Sequence, residues 1–515
     1  MSLKNIQKYK VCLKNYYFWC TLNQPEKTTR LKKKFITNLF LLLFLNVLIK
    51  PFWIFGIERT VQNIVGNESY GLYFSLLSFS MILNIFLDLG ITNFNNKNIA
   101  QHHQLLKKHL SNIVGIKFIL AGVYALICTV AALFMGYKDV QIHLLIFLVL
   151  NQFLISFTFY LRSNISGLHL FRTDSLLSVL DRSLMIVFVS VLLFTNITGH
   201  IFRIEWFVYS QTAAYLMTSL ITFSVVLART GKIKLNFNRR FFMVFIKKSY
   251  PYALLVLLMS FYNRIDSVML DYLLPNGKEQ VGIYAYAFRL LDAVSMFGVL
   301  FAGLLLPIFA RMIKQKHEIG SMIQISFLLL FVPALIISLS SGFYNLEIMN
   351  LMRSSSYKLS ASDIELSASI LRLLMVSFLG VATTYIFGTL LTANGSIRQL
   401  NWMALAGMGL NVGLNLLLIP RMQAMGSAWA SLVTQLFTAV TQVILAVIFL
   451  KLTINYLVIA RLVLFIAFVF LAGMLSKEIN TWYLGYIAMI TSSILFAFII
   501  KLINLSALVE IMRTE

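Results

Sequence analysis

Eleven ionisable side chains stand inside apolar stretches long enough to cross a membrane. Seven are basic (Lys50, Lys117, Arg182, Arg264, Arg289, Arg372 and Arg461) and four are acidic (Asp88, Asp181, Asp266 and Asp292). Asp271 falls at a stretch's rim and is read as solvated. A charge facing lipid at mid-helix costs roughly 2.5–3.5 kcal/mol on insertion scales, so such residues pair or face a wet cavity. With seven cations against four acids the interior is net basic, the sign suited to holding an anion. Bond-breaking chemistry finds little support. The seven histidines are dispersed in loops or near span ends, with no nucleophile–base constellation. Cys12, Cys20 and Cys128 fit neither a metal spacing nor a disulfide framework. There is no Gly-x-x-x-x-Gly-Lys-Ser/Thr loop for a nucleotide. Neither an organic cofactor nor a structural metal is expected, and coupling to H⁺ or Na⁺ through an intramembrane acid stays open.

The elements that position these charges are helices in a bilayer. Of 515 residues, 59% are apolar and only 12% charged, against roughly a quarter charged in an ordinary globular domain, which excludes a water-soluble protein. Fourteen apolar runs of spanning length follow one another, from Phe35–Ile57 to Tyr483–Ile500. The expected fold is an all-α polytopic membrane protein of about fourteen transmembrane helices. The net charge of +24 would suggest nucleic acid in a soluble chain. Placing the N-terminus in the cytoplasm puts 28 loop Lys and Arg inside and 8 outside, so the charge faces anionic headgroups and no nucleic-acid partner is expected. Both termini are thus expected in the cytoplasm. The implied segments are a basic tail over 1–34, six spans over 35–228, a basic amphipathic linker over 229–248, six spans over 249–450, and two final spans with the C-terminus over 451–515.

Depth decides which intramembrane charges can meet. Span seven (Ser249–Tyr272) runs outward and span eight (Val281–Ala310) inward, which places Arg264, Asp266, Arg289 and Asp292 within about 8 Å of one another in depth. Arg289 and Asp292, three apart, share a helix face. Either the four form a neutral ion cluster locking the two spans, or the arginines line a cavity and the aspartates restrain them until an anion arrives. Asp88 and Lys117, both near cytoplasmic span ends, suit a structural pair, although each also stands as a candidate site residue. Asp181 and Arg182 fall near the entrance of span five, where a solvated turn is the plain explanation. Arg461 and Arg372 lie close enough to a membrane face to snorkel, with Arg372 kept as a candidate cavity cation. Lys50 lies deep in span one, without a carboxylate in that helix at its depth, and the following Pro51 frees carbonyls nearby. It is the leading single candidate for a buried substrate contact. Polar residues such as Asn411 and Asn415 suit either a polar path or helix–helix hydrogen bonds.

The chain also repeats. Tyr70-Gly71-Leu72-Tyr73 opens span two and Val281-Gly282-Ile283-Tyr284 opens span eight, 211 residues later. Two parallel six-span lobes follow. Residues 66–73 (Gly-Asn-Glu-Ser-Tyr-Gly-Leu-Tyr) with Asp88-Leu89-Gly90 resemble the opening of bacterial polysaccharide-unit flippases of the Wzx type. Arg264-Ile265-Asp266, Val281-Gly282-Ile283-Tyr284 and Leu306-Pro307 resemble that family's central block. Asn411, Asn415, Leu418-Ile419-Pro420 and Gly426-Ser427-Ala428 resemble its late block. Gln423-Ala424 departs from the family's usual Tyr-Gly, and the N-terminal tail is unusually long. The resemblance implies the two-lobed fold shared with MATE-type exporters and the peptidoglycan-precursor flippase, with a central cavity open alternately to each side. It also implies that spans thirteen and fourteen form a groove for a lipid tail.

The implied function is transfer of undecaprenyl-pyrophosphate-linked oligosaccharide across a bacterial inner membrane, for O-antigen, capsule or exopolysaccharide assembly. The expected site is Lys50, Lys117, Arg264, Arg289 and Arg372 for the anion, with Asp88, Asp266 and Asp292 as charge partners or coupling groups. Implied partners are the lipid-linked sugar, membrane lipids and polysaccharide polymerase. Alternatives are a multidrug antiporter or a peptidoglycan-precursor flippase. A polymerase or ligase is disfavoured because the longest outside segment, Phe343–Glu365, holds one arginine and no histidine.

Overall fold

The computed structural model describes residues 45–46, 48–49, 51–92, 95, 99, 104, 106–168, 170–195, 202–231, 239–352, 360–452 and 455–503. The basic tail, Lys50, most of the first span, the face of the linker and the end of the C-terminal segment lie outside the described residues. Among the described residues there are fourteen α-helices and no strand. They are α1 Arg59–Ile82, α2 Leu106–Phe134, α3 Asp139–Gly167, α4 Phe171–Phe194, α5 Ile204–Thr230, α6 Arg239–Leu273, α7 Gly277–Lys314, α8 Gly320–Phe343, α9 Asn345–Met352, α10 Ala361–Ala393, α11 Ile397–Met422, α12 Ala424–Leu450, α13 Tyr456–Ser476 and α14 Trp482–Ile499. A helix satisfies every backbone group within its own segment, which hydrocarbon demands. Twelve of them, all but α1 and the short α9, are long and apolar enough to cross a membrane. The second span lies within α1, so the fold is the all-α polytopic architecture expected.

The first two spans join differently from expectation. A π-helical turn over Trp53–Glu58 runs straight into α1, and the only non-helical backbone within α1 is Gly66, at φ 80° and ψ 171°. Only glycine takes that conformation without strain. The second span ends early, at Ile82, followed by a 3₁₀ turn over Asn84–Leu87 and positive φ at Leu89 and Gly90. The break frees the Leu87 carbonyl, and its partner is described below.

Packing places α1 against both α6 and α7, and these contacts join the N-terminal to the C-terminal half. The largest core crosses this junction, where Phe74 meets Phe288 edge-on at 5.9 Å, and continues into the N-terminal half, where Trp53 stacks on Phe207 at 5.8 Å. Helices α13 and α14 stand apart, held to α8 by Leu328, Val332, Phe465, Val469 and Met489. Their other faces, including Leu464, Leu471, Leu475, Leu495 and Ile499, are exposed and apolar, as lipid contact requires. Tyr344 donates to Ser476 Oγ (2.9 Å) and Lys477 pairs with Glu347 (2.6 Å), which ties α13 to α9.

The ends of the helices that the charge distribution assigns to the outer side form a polar seam. Gln62 donates to the Gly282 carbonyl (2.9 Å), Tyr286 to Asn63 (3.0 Å) and Asn67 to Asp363 (3.2 Å). The Met352 carbonyl, at the end of α9, receives both Arg59 (2.9 Å) and Asn63 (3.1 Å). A cleft of about 750 Å³ opens beside the seam, bordered by Asn63, Asn67, Glu68, Asp271, Lys278 and Asp363.

Candidate functional site

The intramembrane charges gather at the junction of the halves. Arg264 on α6 donates to Asp292 on α7 at 2.9 Å, with its guanidinium 5.0 Å from the Phe288 ring centre. Arg289, three residues before Asp292, turns the other way. It pairs with Glu58, on the opposite half, and lies over Tyr70 (4.8 Å) and Phe74 (5.5 Å) of α1. Arg289 and Glu58 are both buried. Arg182 on α4 lies over Trp53 (5.5 Å) and Tyr215 (6.0 Å), within Coulombic range of Glu58, and reaches Asp181 at 3.8 Å. The result is a chain of alternating sign from one half to the other: Arg264, Asp292, Arg289, Glu58, Arg182, Asp181. Three arginines face three carboxylates, so the chain is neutral until something displaces a carboxylate.

Three expectations change. The single ion cluster of Arg264, Asp266, Arg289 and Asp292 does not form, because Arg289 points to α1 and Asp266 leaves the ionic chain. Asp266 is wholly buried and accepts from Asn415 (2.8 Å), Tyr284 (3.0 Å) and Asn411 (3.2 Å), while Ser427 donates to Asn415 Oδ1 (2.9 Å). The late-block asparagines therefore tie α6, α7, α11 and α12 together. Arg182 is not in a solvated turn: its helix begins at Phe171, which carries it about 16 Å into the span. Glu58 was hidden in the sequence by lying just past the end of the first apolar run.

The remaining candidates lie elsewhere. Lys117 is 1% exposed and fully occupied: it donates to Asp88 (2.5 Å), to Ser156 Oγ (3.0 Å) and to the Leu87 carbonyl freed by the broken helix (3.0 Å). Asp88 also takes the backbone N–H (3.3 Å) and hydroxyl (2.5 Å) of Thr92, so the pair closes the break in span two. Arg372 is exposed on α10, its stem beside Gly342 of α8, away from the chain. Lys50 lies outside the described residues. The net basic balance of the sequence is therefore not located at the junction, where the charges cancel. What the junction supplies is arginines drawn from both halves, each with a carboxylate an anion can displace.

The fold is similar to solved transporters. The lipid II flippase MurJ in an inward closed conformation matches at TM-score 0.64 and 14% identity, over 92% of this chain and 98% of that one. An inward-facing multidrug resistance MATE family transporter of the MOP superfamily matches at 0.56 and 16% identity, over 78% and 92%. The Vibrio cholerae MATE transporter VcmN in its bent form matches at 0.54 and 13% identity, over 91% and 99%. At these identities the likeness establishes the MOP-type fold of a multi-pass membrane protein. No curated protein matches the sequence. A family model described as polysaccharide biosynthesis protein matches residues 36–313, more than half of the chain. The chain belongs to the polysaccharide biosynthesis protein family.

Proposed function

We propose that the protein is a flippase that carries a polyprenyl-pyrophosphate-linked oligosaccharide from the cytoplasmic to the outer leaflet of a bacterial inner membrane, with both its termini in the cytoplasm. The observation that carries this reading is the alternating charge chain, in which arginines of both halves meet at the junction. A pyrophosphate entering there competes with Asp292 for Arg264 and with Glu58 for Arg289, since a guanidinium binds phosphate and carboxylate through the same paired N–H geometry. Losing the Glu58 contact removes a link between the halves, so binding the passenger weakens the closed arrangement. The sugar crosses in a protein-lined path while the polyprenyl tail stays in lipid, alongside α13 and α14. Family membership supports the sugar passenger, and the lipid II flippase likeness supports a lipid-linked one. An inside-negative potential favours outward movement of an anion by ~2.3 kcal/mol per charge per 100 mV.

The test is deletion of the gene in its native host, followed by analysis of lipid-linked intermediates and surface polymer. Accumulation of one complete lipid-linked repeat unit inside, with loss of polymer, is the expected result and names the cargo. Normal polymer without such accumulation overturns the reading in favour of a drug antiporter. Exported but unpolymerised units would instead indicate an enzyme.

A further inference from the structure

Helix α9 is too short to stand alone. It has eight residues, and isolated helices under about 12–15 residues are marginal in water. What holds it comes from two separate parts of the fold. Met349 and Met352 are buried in the core that crosses the junction of the halves, whereas Tyr344, immediately before α9, belongs to the core that α13 and α14 form with α8. Ile348 packs against both.

The polar contacts repeat this division. At the leading end the Tyr344 hydroxyl donates to Ser476 Oγ of α13 (2.9 Å), and its ring meets Tyr486 of α14 edge-on at 5.5 Å. Lys477 lies over the same ring at 4.4 Å while pairing with Glu347 of α9. Gly485 of α14 makes room for this wedge, since a Cβ there would lie 2.4 Å from the Tyr344 hydroxyl oxygen. At the trailing end the Met352 carbonyl, which has no donor within a helix that stops there, takes Arg59 and Asn63 of α1. A cation also suits the negative end of the helix dipole. The last turn of α9 is thus capped by the opposite half of the protein.

We propose that α9 is a strut that couples the outer seam to α13 and α14: it keeps its helical form only while both ends are held, so opening the seam releases α13, and loosening α13 opens the seam. Opening draws α1 away from Met352 and removes both donors from the last turn. A helix of two turns frays from the uncapped end, and the hold of Glu347 on Lys477 goes with it. The effect runs both ways, because coupling between two equilibria is reciprocal. A lipid chain lying along α13 and α14 thereby acts on the seam without touching it; that step rests on the proposed function, whereas the strut does not.

The test places spin labels on Glu68→Cys of α1 and Glu365→Cys of α10, both exposed, in the purified full-length protein in lipid nanodiscs with its native cysteines replaced. Their separation reports the seam. Tyr344→Phe with Lys477→Met cuts the strut at its α13 end and changes no residue of α1 or α10. The ratio of closed to open distances should fall about fivefold or more. Ser476→Ala alone keeps every ring and charge, should shift the ratio the same way, and reads the strut even if the double variant does not fold. In the reverse direction, a label on Leu346→Cys, exposed on α9, should become mobile when Gly71→Ala holds the seam apart. The proposal is overturned if cutting the α13 end leaves the distances as in the wild type, or if the Leu346 label stays immobile with the seam held apart. Neither measurement needs a sugar lipid, so failure here leaves the flippase reading untouched, and failure of that reading leaves the strut.

Discussion

Gly71 and Gly282, equivalent residues of the two halves, pack each against the other's helix. A Cβ on Gly71 would lie 1.7 Å from the Lys278 carbonyl oxygen and 2.7 Å from the Gly282 nitrogen, and a Cβ on Gly282 would lie 2.2 Å from the Asn67 carbonyl oxygen. Backbone atoms cannot yield as a side chain can. Only hydrogen in place of Cβ lets the helices come this close, as small residues do at membrane helix contacts. The repeated Tyr-Gly and Val-Gly motifs are thus the two faces of one seam.

Gly71→Ala should prevent the seam from closing, at a cost of about 1–3 kcal/mol or more to that state. With a cysteine placed at Asn67, labelling by a membrane-impermeant maleimide from the outer side should rise, and flipping should fall at least about tenfold, the equivalent of roughly 1.4 kcal/mol. Unchanged labelling would mean that the seam is not a gate.

Removing one partner of the buried Arg289–Glu58 pair strands a charge, which costs about 3–5 kcal/mol, whereas replacing both by neutral residues is far better tolerated. Melting of Glu58→Gln, Arg289→Met and the double variant should show the double variant more stable than Arg289→Met alone. Transport should not return with stability, because the arginine is gone. A double variant that flips normally would show that the pair is packing only.

Arg264→Ala should abolish flipping with protein levels unchanged, and Lys50→Ala likewise from its place in the first span, whereas Arg289→Ala should abolish flipping per molecule and also lower protein levels because it strands Glu58. Arg461→Ala and Arg372→Ala should be mild, because neither meets the charge chain. Accumulated lipid-linked intermediate per unit of protein is the measure. Normal transport by both Lys50→Ala and Arg289→Ala would sink the cation mechanism.

Lys117→Met should behave differently. It leaves Asp88 and the Leu87 carbonyl without their donor, so we expect about 3–5 kcal/mol of lost stability and low membrane levels. Flipping per molecule that reaches the membrane should be near normal. A well-folded Lys117→Met that cannot transport would place Lys117 in the path.

The amino-acid sequence by itself determined the class of fold, because hydrocarbon leaves a chain few ways to satisfy its backbone, and each apolar run of spanning length has to become a helix. It also put Arg264, Asp266, Arg289 and Asp292 at similar depth, and of these four Arg264 and Asp292 do pair. What it did not determine was rotation about the helix axis. Arg289 shares the depth of Asp266, yet points to α1 and finds Glu58, while Asp266 turns to Asn411 and Asn415. Span ends were legible only to within a turn, which hid Glu58 past Ile57 and misplaced Arg182 at a helix entrance. Gly71 and Gly282 were visible as a repeat, but that the two copies touch depends on how the halves dock. Contacts between residues over two hundred positions apart follow from packing of whole faces, and that packing was decided by the tertiary structure alone.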